Sequence, residues 1–157
     1  MANLLIDGGR KLHGTIRTNS AKNSAVAILC ATAMIKGETV LKDVPRIEEV
    51  NRIIEILTSL GLRFSWIGDH ELEINNSGKL HPEKIDREAF LKTRSALLLM
   101  GALSGSLNKF SLPKSGGCRL GKRTVNPFSI ALAHLGIKVK AATDSYHISY
   151  ERKKAAE

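Results

Sequence analysis

The sequence predicts a mixed α+β fold built from about two copies of one helix–strand–helix–strand–strand unit. Three observations lead there. The chain is weakly self-similar: KNSAVAILCATAMIKGETVL, from Lys22, shares its pattern with KTRSALLLMGALSGSLNKFS, from Lys92, and LTSLGLRFSW (57–66) with LAHLGIKVKA (132–141). Apolar residues at helical spacing alternate with stretches of period two, so helices and strands interleave. The 157 residues are 43% apolar and 25% charged, enough to bury a core.

The elements follow in order. Two short apolar segments, LLID (4–7) and KLHGTIRT (11–18), are strand candidates that belong to neither repeat. The first helix begins near Lys22, with Ser20 or Asn23 as N-cap and Gly37 as stop. ETVLKDV (38–44) reads as a strand. After Pro45, residues Ile47, Val50, Ile53, Ile54, Leu57 and Leu60 mark a second helix, which Gly61 ends. LRFSWIG and HELEINN form a hairpin turning at Gly68-Asp69. NNSGKLHPEK (75–84) is a polar connector.

The second copy opens with one long helix from near Asp86 to about Ser104, followed by a strand at 108–112. A helix at about 126–135 and strands at 137–141 and 146–150 complete it. Aligning Lys22 with Lys92 gives an offset of 70 residues, and Gly61 with Gly136 an offset of 75. The five extra residues fall between the two helices of the second copy, where KSGGCRLGKR (114–123) lies. The domain reading is therefore residues 1–20 as N-terminal strands, then 21–157 holding repeats at about 21–76 and 86–150. The tail ERKKAAE reads as frayed or cut.

Lys plus Arg total 24 against 15 acids, a net charge of +9, so an anionic partner is expected. Aromatics are only 4%, and none lies in the 114–123 loop, which favours phosphorylated small molecules over nucleic acid. The two cysteines make no disulfide framework, and the five histidines have no metal-ligand spacing. No segment reads as a signal peptide or a membrane span, so the cytoplasm is the expected compartment.

Four places can carry chemistry. Lys22 and Asn23 stand where a helix starts and its free N–H groups attract anions; they read either as a phosphate or carboxylate clamp or as a solvated lysine beside a cap. Arg94, placed within the second long helix, either snorkels to the surface or points into a cleft toward an anion. Cys118 sits among Lys114, Arg119, Lys122 and Arg123 and after Gly116-Gly117; nearby cations favour the thiolate, so it is either a working nucleophile or acid, or an idle surface thiol. Arg119, Lys122 and Arg123 are either diphosphate ligands or solvated charge. Cys30, in an apolar helical run, reads as an inert buried thiol.

Taken together, AKNSAVAILCA (21–31), VPRIEEV (44–50), LTSLG (57–61), KTRSALLLMGAL (92–103), SLPKSGGCRLGKR (111–123) and LGIKV (135–139) resemble the enolpyruvyl transferases, over nearly the whole chain. The lysine-asparagine start and the Gly-Gly-Cys loop are similar to the branch that acts on a UDP-sugar at the start of peptidoglycan precursor synthesis. That resemblance implies two lobes, each an inside-out barrel of three βαβαββ units with substrates between them, of which this chain would supply about two units. It implies that residues 1–20 pack with the second lobe, and that this lobe must come in cis or in trans.

It further implies phosphoenolpyruvate and UDP-N-acetylglucosamine as substrates, with no metal or organic cofactor. Lys22 and Asn23 would contact phosphoenolpyruvate, and Arg94 and Arg123 would hold phosphate or carboxylate groups. Cys118 would be the general acid that protonates the enolpyruvyl methylene, and the site alkylated by the epoxide fosfomycin. Arg123, Thr124, Val125, Asn126 and Pro127 would line the UDP-sugar site. Thr124, Asn126 and Phe128 stand where the family has Pro, Asp and His, which leaves the acceptor sugar open. The chain alone is expected not to turn over. The other reading is a half-length paralogue or non-enzymatic basic βα-repeat module that binds RNA or a phosphorylated ligand.

Overall fold

The computed structural model describes residues 3–18, 20–116 and 124–150. The first unit comprises α1 (Lys22–Ala31) with a 3-10 turn (Thr32–Met34), β1 (Gly37–Leu41), α2 (Glu48–Ser59), β2 (Arg63–Trp66) and β3 (Leu72–Asn76). The second comprises α3 (Arg87–Lys92), a 3-10 turn (Ser95–Leu98), α4 (Leu99–Ser104), β4 (Lys109–Pro113), α5 (Asn126–His134), β5 (Ile137–Ala141) and β6 (Ser145–Tyr150).

Each unit closes a three-stranded antiparallel sheet with its last strand in the middle, in the orders β1-β3-β2 and β4-β6-β5. Strand alternation then sorts the faces. Leu72 and Ile74 of β3 turn inward, as do Phe110, Leu112, Tyr146 and Ile148 of the second sheet. The helices lie on that inner side. α1 packs on α2 and α4, and α2 on α3. Val50, Ile53, Ile56 and Leu57, on one face of α2, are fully buried. At C′ of α2 and of α5, Gly61 (φ 108) and Gly136 (φ 80) take the left-handed conformation that a glycine adopts without strain.

Asn76 joins sheet to helix. It is 2% exposed, and its Nδ2 lies within bonding distance of the carbonyls of Thr32 (3.3 Å), Ala33 (3.1 Å) and Ile35 (2.9 Å). They lie where α1 and its 3-10 turn end; the Thr32 carbonyl also accepts from the Ile35 amide at 3.1 Å. Arg46 joins the hairpin to α2: it donates to the carbonyls of Asp69 (2.7 Å) and Gly68 (3.0 Å) and lies 4.2 Å over the Trp66 ring.

Several expectations are corrected. Residues 4–7 and 11–18 form no strand; Leu4, Leu5, Ile6, Leu12 and Ile16 are all at least 83% exposed. Strand candidates need a sheet edge, and none of the described strands pairs with them. The N-cap of α1 is Ala21, without a side-chain hydrogen bond, rather than Ser20 or Asn23. Gly37 (φ 98) opens β1 instead of ending the helix, which the 3-10 turn has already terminated. The long helix expected from Asp86 to Ser104 is broken at Thr93, whose backbone is extended (φ −137, ψ 137). Asp86 does cap α3, accepting from the Ala89 amide at 3.0 Å.

Candidate functional site

The break at Thr93 shapes the site. Its hydroxyl donates to Glu49 Oε1 (3.0 Å) and accepts from the Ser95 amide (3.3 Å), so the side chain replaces helical bonding locally. Arg94 therefore sits at the head of the 3-10 turn rather than inside a helix. A cleft of about 700 Å³ opens there, lined by Lys22 and Asn23 from α1, Glu49 and Arg52 from α2, Arg94, and Phe128 from α5. The repeat brings this about: α1 and the Lys92–Leu98 segment are corresponding pieces of the two units, and α2 packs against both. Lys22 and Asn23 thus line the same cleft as Arg94, which is far from them in sequence.

Glu49 organises the polar groups. Lys22 Nζ donates to Glu49 Oε2 at 2.5 Å, and Ser95 and Thr93 donate to Oε1. The Lys22 contact, reinforced by the Ser95 and Thr93 hydroxyls, holds the Glu49 carboxyl below the usual carboxylate range although burial opposes it. Beside it, Arg52 is clamped by Glu48 (2.9 Å) and Glu55 (2.6 Å). Spacing alone did not single out Glu49, Thr93 or Ser95. The only signal was the acid pair within VPRIEEV, which sits in the first turn of α2 and faces the cleft.

Arg94 Nη2 donates to the Thr124 carbonyl at 3.0 Å. Val125 caps α5 by position, and Asn126 and Pro127 open it. None of these four residues lines the cleft; of that stretch only Phe128 does. Cys118 and Arg123, with Arg119 and Lys122, lie outside the described residues. The described ends of that loop both abut the α3–Arg94 segment. Thr124 does so through Arg94, and Gly116 lies so close to the Leu91 carbonyl that a Cβ there would overlap it. Cys30 is buried, and burial pushes its thiol up to about 12. Among the described residues no group of His, Cys, Asp or Glu is placed to hold a metal ion.

The chain's sequence and fold have counterparts in known proteins. Residues 6–155 match the family described as EPSP synthase (3-phosphoshikimate 1-carboxyvinyltransferase). The chain belongs to this family, the enolpyruvyl transferases. Among its relatives, UDP-N-acetylglucosamine 1-carboxyvinyltransferase 1 of Legionella pneumophila (strain Lens) is 32% identical over 139 residues, 88% of this chain and 27% of that protein. UDP-N-acetylglucosamine 1-carboxyvinyltransferase 3 of Caldanaerobacter subterraneus subsp. tengcongensis is 31% identical over 158 residues, 99% of this chain and 37% of that protein. The crystal structure of the enolpyruvyl transferase NikO from Streptomyces tendae superposes with a TM-score of 0.75, covering 92% of this chain and 32% of that one at 20% identity. The chain thus spans about a third of the length of the curated relatives it matches. Its two units are a partial enolpyruvyl transferase fold. No helix among the described residues is long and apolar enough to cross a membrane.

Proposed function

We propose that this chain carries one wall of the active site of an enolpyruvyl transferase that moves the enolpyruvyl group of phosphoenolpyruvate to the 3-hydroxyl of UDP-N-acetylglucosamine. The observation that carries the reading is the convergence of Lys22, Asn23 and Arg94 on one cleft. The names of the relatives at 31% and 32% identity support the choice of acceptor. In this reading the sugar hydroxyl gives its proton to a base on the opposite wall and adds to C2 of phosphoenolpyruvate, while Cys118 delivers a proton to the methylene carbon. Loss of that proton's equivalent and of phosphate then restores the double bond on the sugar ether. Lys22, Asn23 and Arg94 hold the anionic groups, and Arg123 with Thr124–Pro127 borders the nucleotide-sugar. The expected role is a step of peptidoglycan precursor synthesis in the cytoplasm. The opposite wall comes from further chain, in cis or in trans, so the 157 residues alone bind but do not turn over.

Intact-mass analysis after incubation with fosfomycin and UDP-N-acetylglucosamine tests the assignment. One adduct, mapping to Cys118, is expected, and its absence at saturating reagent would overturn the role of that thiol. Phosphoenolpyruvate titration tests the clamp: Lys22→Ala and Arg94→Ala each remove a charge-assisted contact and should weaken binding roughly tenfold to a hundredfold.

One observation favours a second reading, a basic module for polyanions. The outward face of the second sheet carries Lys109, Lys138, Lys140 and His147 and no acid, whereas the matching face of the first carries Glu38 and Glu73. An RNA affinity that falls steeply with salt, alongside no fosfomycin adduct, would select that reading.

A further inference from the structure

The two sheets are built alike, yet their outward faces differ in charge. Residues opposite one another across an antiparallel sheet share a face, so each outward face reads as two rows. In the first sheet the rows are Glu38–Asn75–Arg63 and Val40–Glu73–Ser65. Two acids there meet one cation, and Asn75 donates to Glu38 at 3.1 Å. In the second sheet the same rows read Lys109–Ser149–Lys138 and Ser111–His147–Lys140. Lysine stands in place of Glu38 and histidine in place of Glu73, on the same scaffold. The fold therefore does not require this charge. Cations gathered on one sheet face repel one another. No acid stands in either row, and Asp144 lies in the turn before β6.

A groove of about 370 Å³ lies on this face, and its lining includes Lys109, Ser111, Lys140, His147 and Ser149. Lys109 and Lys140 rise from the two edge strands, which stand two strand spacings apart, about 9–10 Å. Among the described residues neither has an ion-pair partner. Beside them Ser111 Oγ lies 2.8 Å from His147 Nδ1. Either direction of that hydrogen bond leaves a donor for the groove. When Ser111 donates, the imidazole proton is on Nε2; when Nδ1 donates, the Ser111 hydroxyl proton is unspent. Protonation of the ring makes both available. No aromatic residue stands in either row, so nothing there stacks a nucleic-acid base. Phosphate oxygens, which accept from such donors and carry negative charge, fit this face.

We infer that this groove binds the diphosphate group of a small soluble molecule, one phosphate against Lys109 and Ser149 and the other against Lys140 and the Ser111–His147 pair. A diphosphate engages both edge strands at once. The inference starts from the same basic face as the polyanion reading but names a different partner. It is independent of the cleft, since Lys22 and Arg94 do not line this groove.

NMR titration of the isotope-labelled 157-residue chain with inorganic pyrophosphate, without divalent metal and at constant ionic strength, tests this. Saturable shifts are expected at the amides of Ser111, His147 and Ser149. Inorganic phosphate should bind there roughly tenfold more weakly. Lys109→Gln and Lys140→Gln, both at exposed positions, should each weaken pyrophosphate roughly fivefold or more at these amides, with the fold unchanged by circular dichroism. Lys22→Ala should leave the affinity read at them as it was. Shifts confined to the surroundings of Lys22 and Arg94 overturn the inference and leave the cleft reading intact. Sheet shifts that survive both lysine substitutions together also overturn it, as does equal affinity for phosphate and pyrophosphate. A single-stranded RNA that displaces pyrophosphate from these amides at a lower concentration than pyrophosphate itself needs would overturn it in favour of nucleic acid.

Discussion

With Lys22 donating to Glu49, a phosphate or carboxylate arriving at the start of α1 meets a lysine that already has a partner. In the proposed reaction the incoming anion must therefore compete with Glu49 for Lys22. Two outcomes follow from this charge balance. Lys22→Met removes the largest influence holding the Glu49 carboxyl down, so its pKa should rise toward the ordinary carboxylate value, readable by carboxyl-carbon NMR titration. The contact also makes stability depend on pH. A depressed carboxylate contributes fully above the ordinary carboxylate range, and the contribution is lost as pH falls through that range to the lowered value. Urea unfolding should therefore find Glu49→Gln less stable than the parent by about 1–2 kcal/mol at pH 7, with the gap closing in acid. Cys30 should resist iodoacetamide in the folded state and react only on unfolding, since burial keeps it protonated.

At the scale of elements, the joint made by Asn76 is the most sensitive one. Asn76→Ala takes away the side-chain donor of the Ala33 and Ile35 carbonyls, while Thr32 keeps the Ile35 amide, and should cost about 1–3 kcal/mol in urea unfolding. Gly116→Ala must push the start of the loop away from Leu91, and should lower the rate of fosfomycin labelling more than it lowers stability. The elements with their own punctuation were legible in the sequence. α2 had its spacing and Gly61, the hairpin had Gly68-Asp69, and β5 and β6 had their alternation. The break at Thr93 was not legible, because no proline or glycine marks it and its cause is a hydroxyl bonding to Glu49 from another helix. The same holds for the site: Lys22, Asn23 and Arg94 could be picked out one by one, but the carboxylate that ties the cleft together is set by packing between units. The apolar segments at 4–7 and 11–18 form no strand in this chain because apolar character reports a willingness to pair, not the presence of a partner.

For the whole molecule, the cleft lies where the two described units meet and is lined by residues of both. Residues 3–18 add a different consequence. They extend over the surface, and their described polar ties to the body are few: Arg17 reaches Asp43 at 3.9 Å, and Ser20, just beyond, bonds the Asp43 carbonyl. Trypsin should cut after Arg10, Lys11 or Arg17 well before it touches the helices. The trimmed product should melt within about 1–2 °C of the parent, because exposed arm residues bring no burial to the folded state. In the 157-residue chain by itself, this arm is thus a place to attach a dye or a surface tether with little effect on the two units.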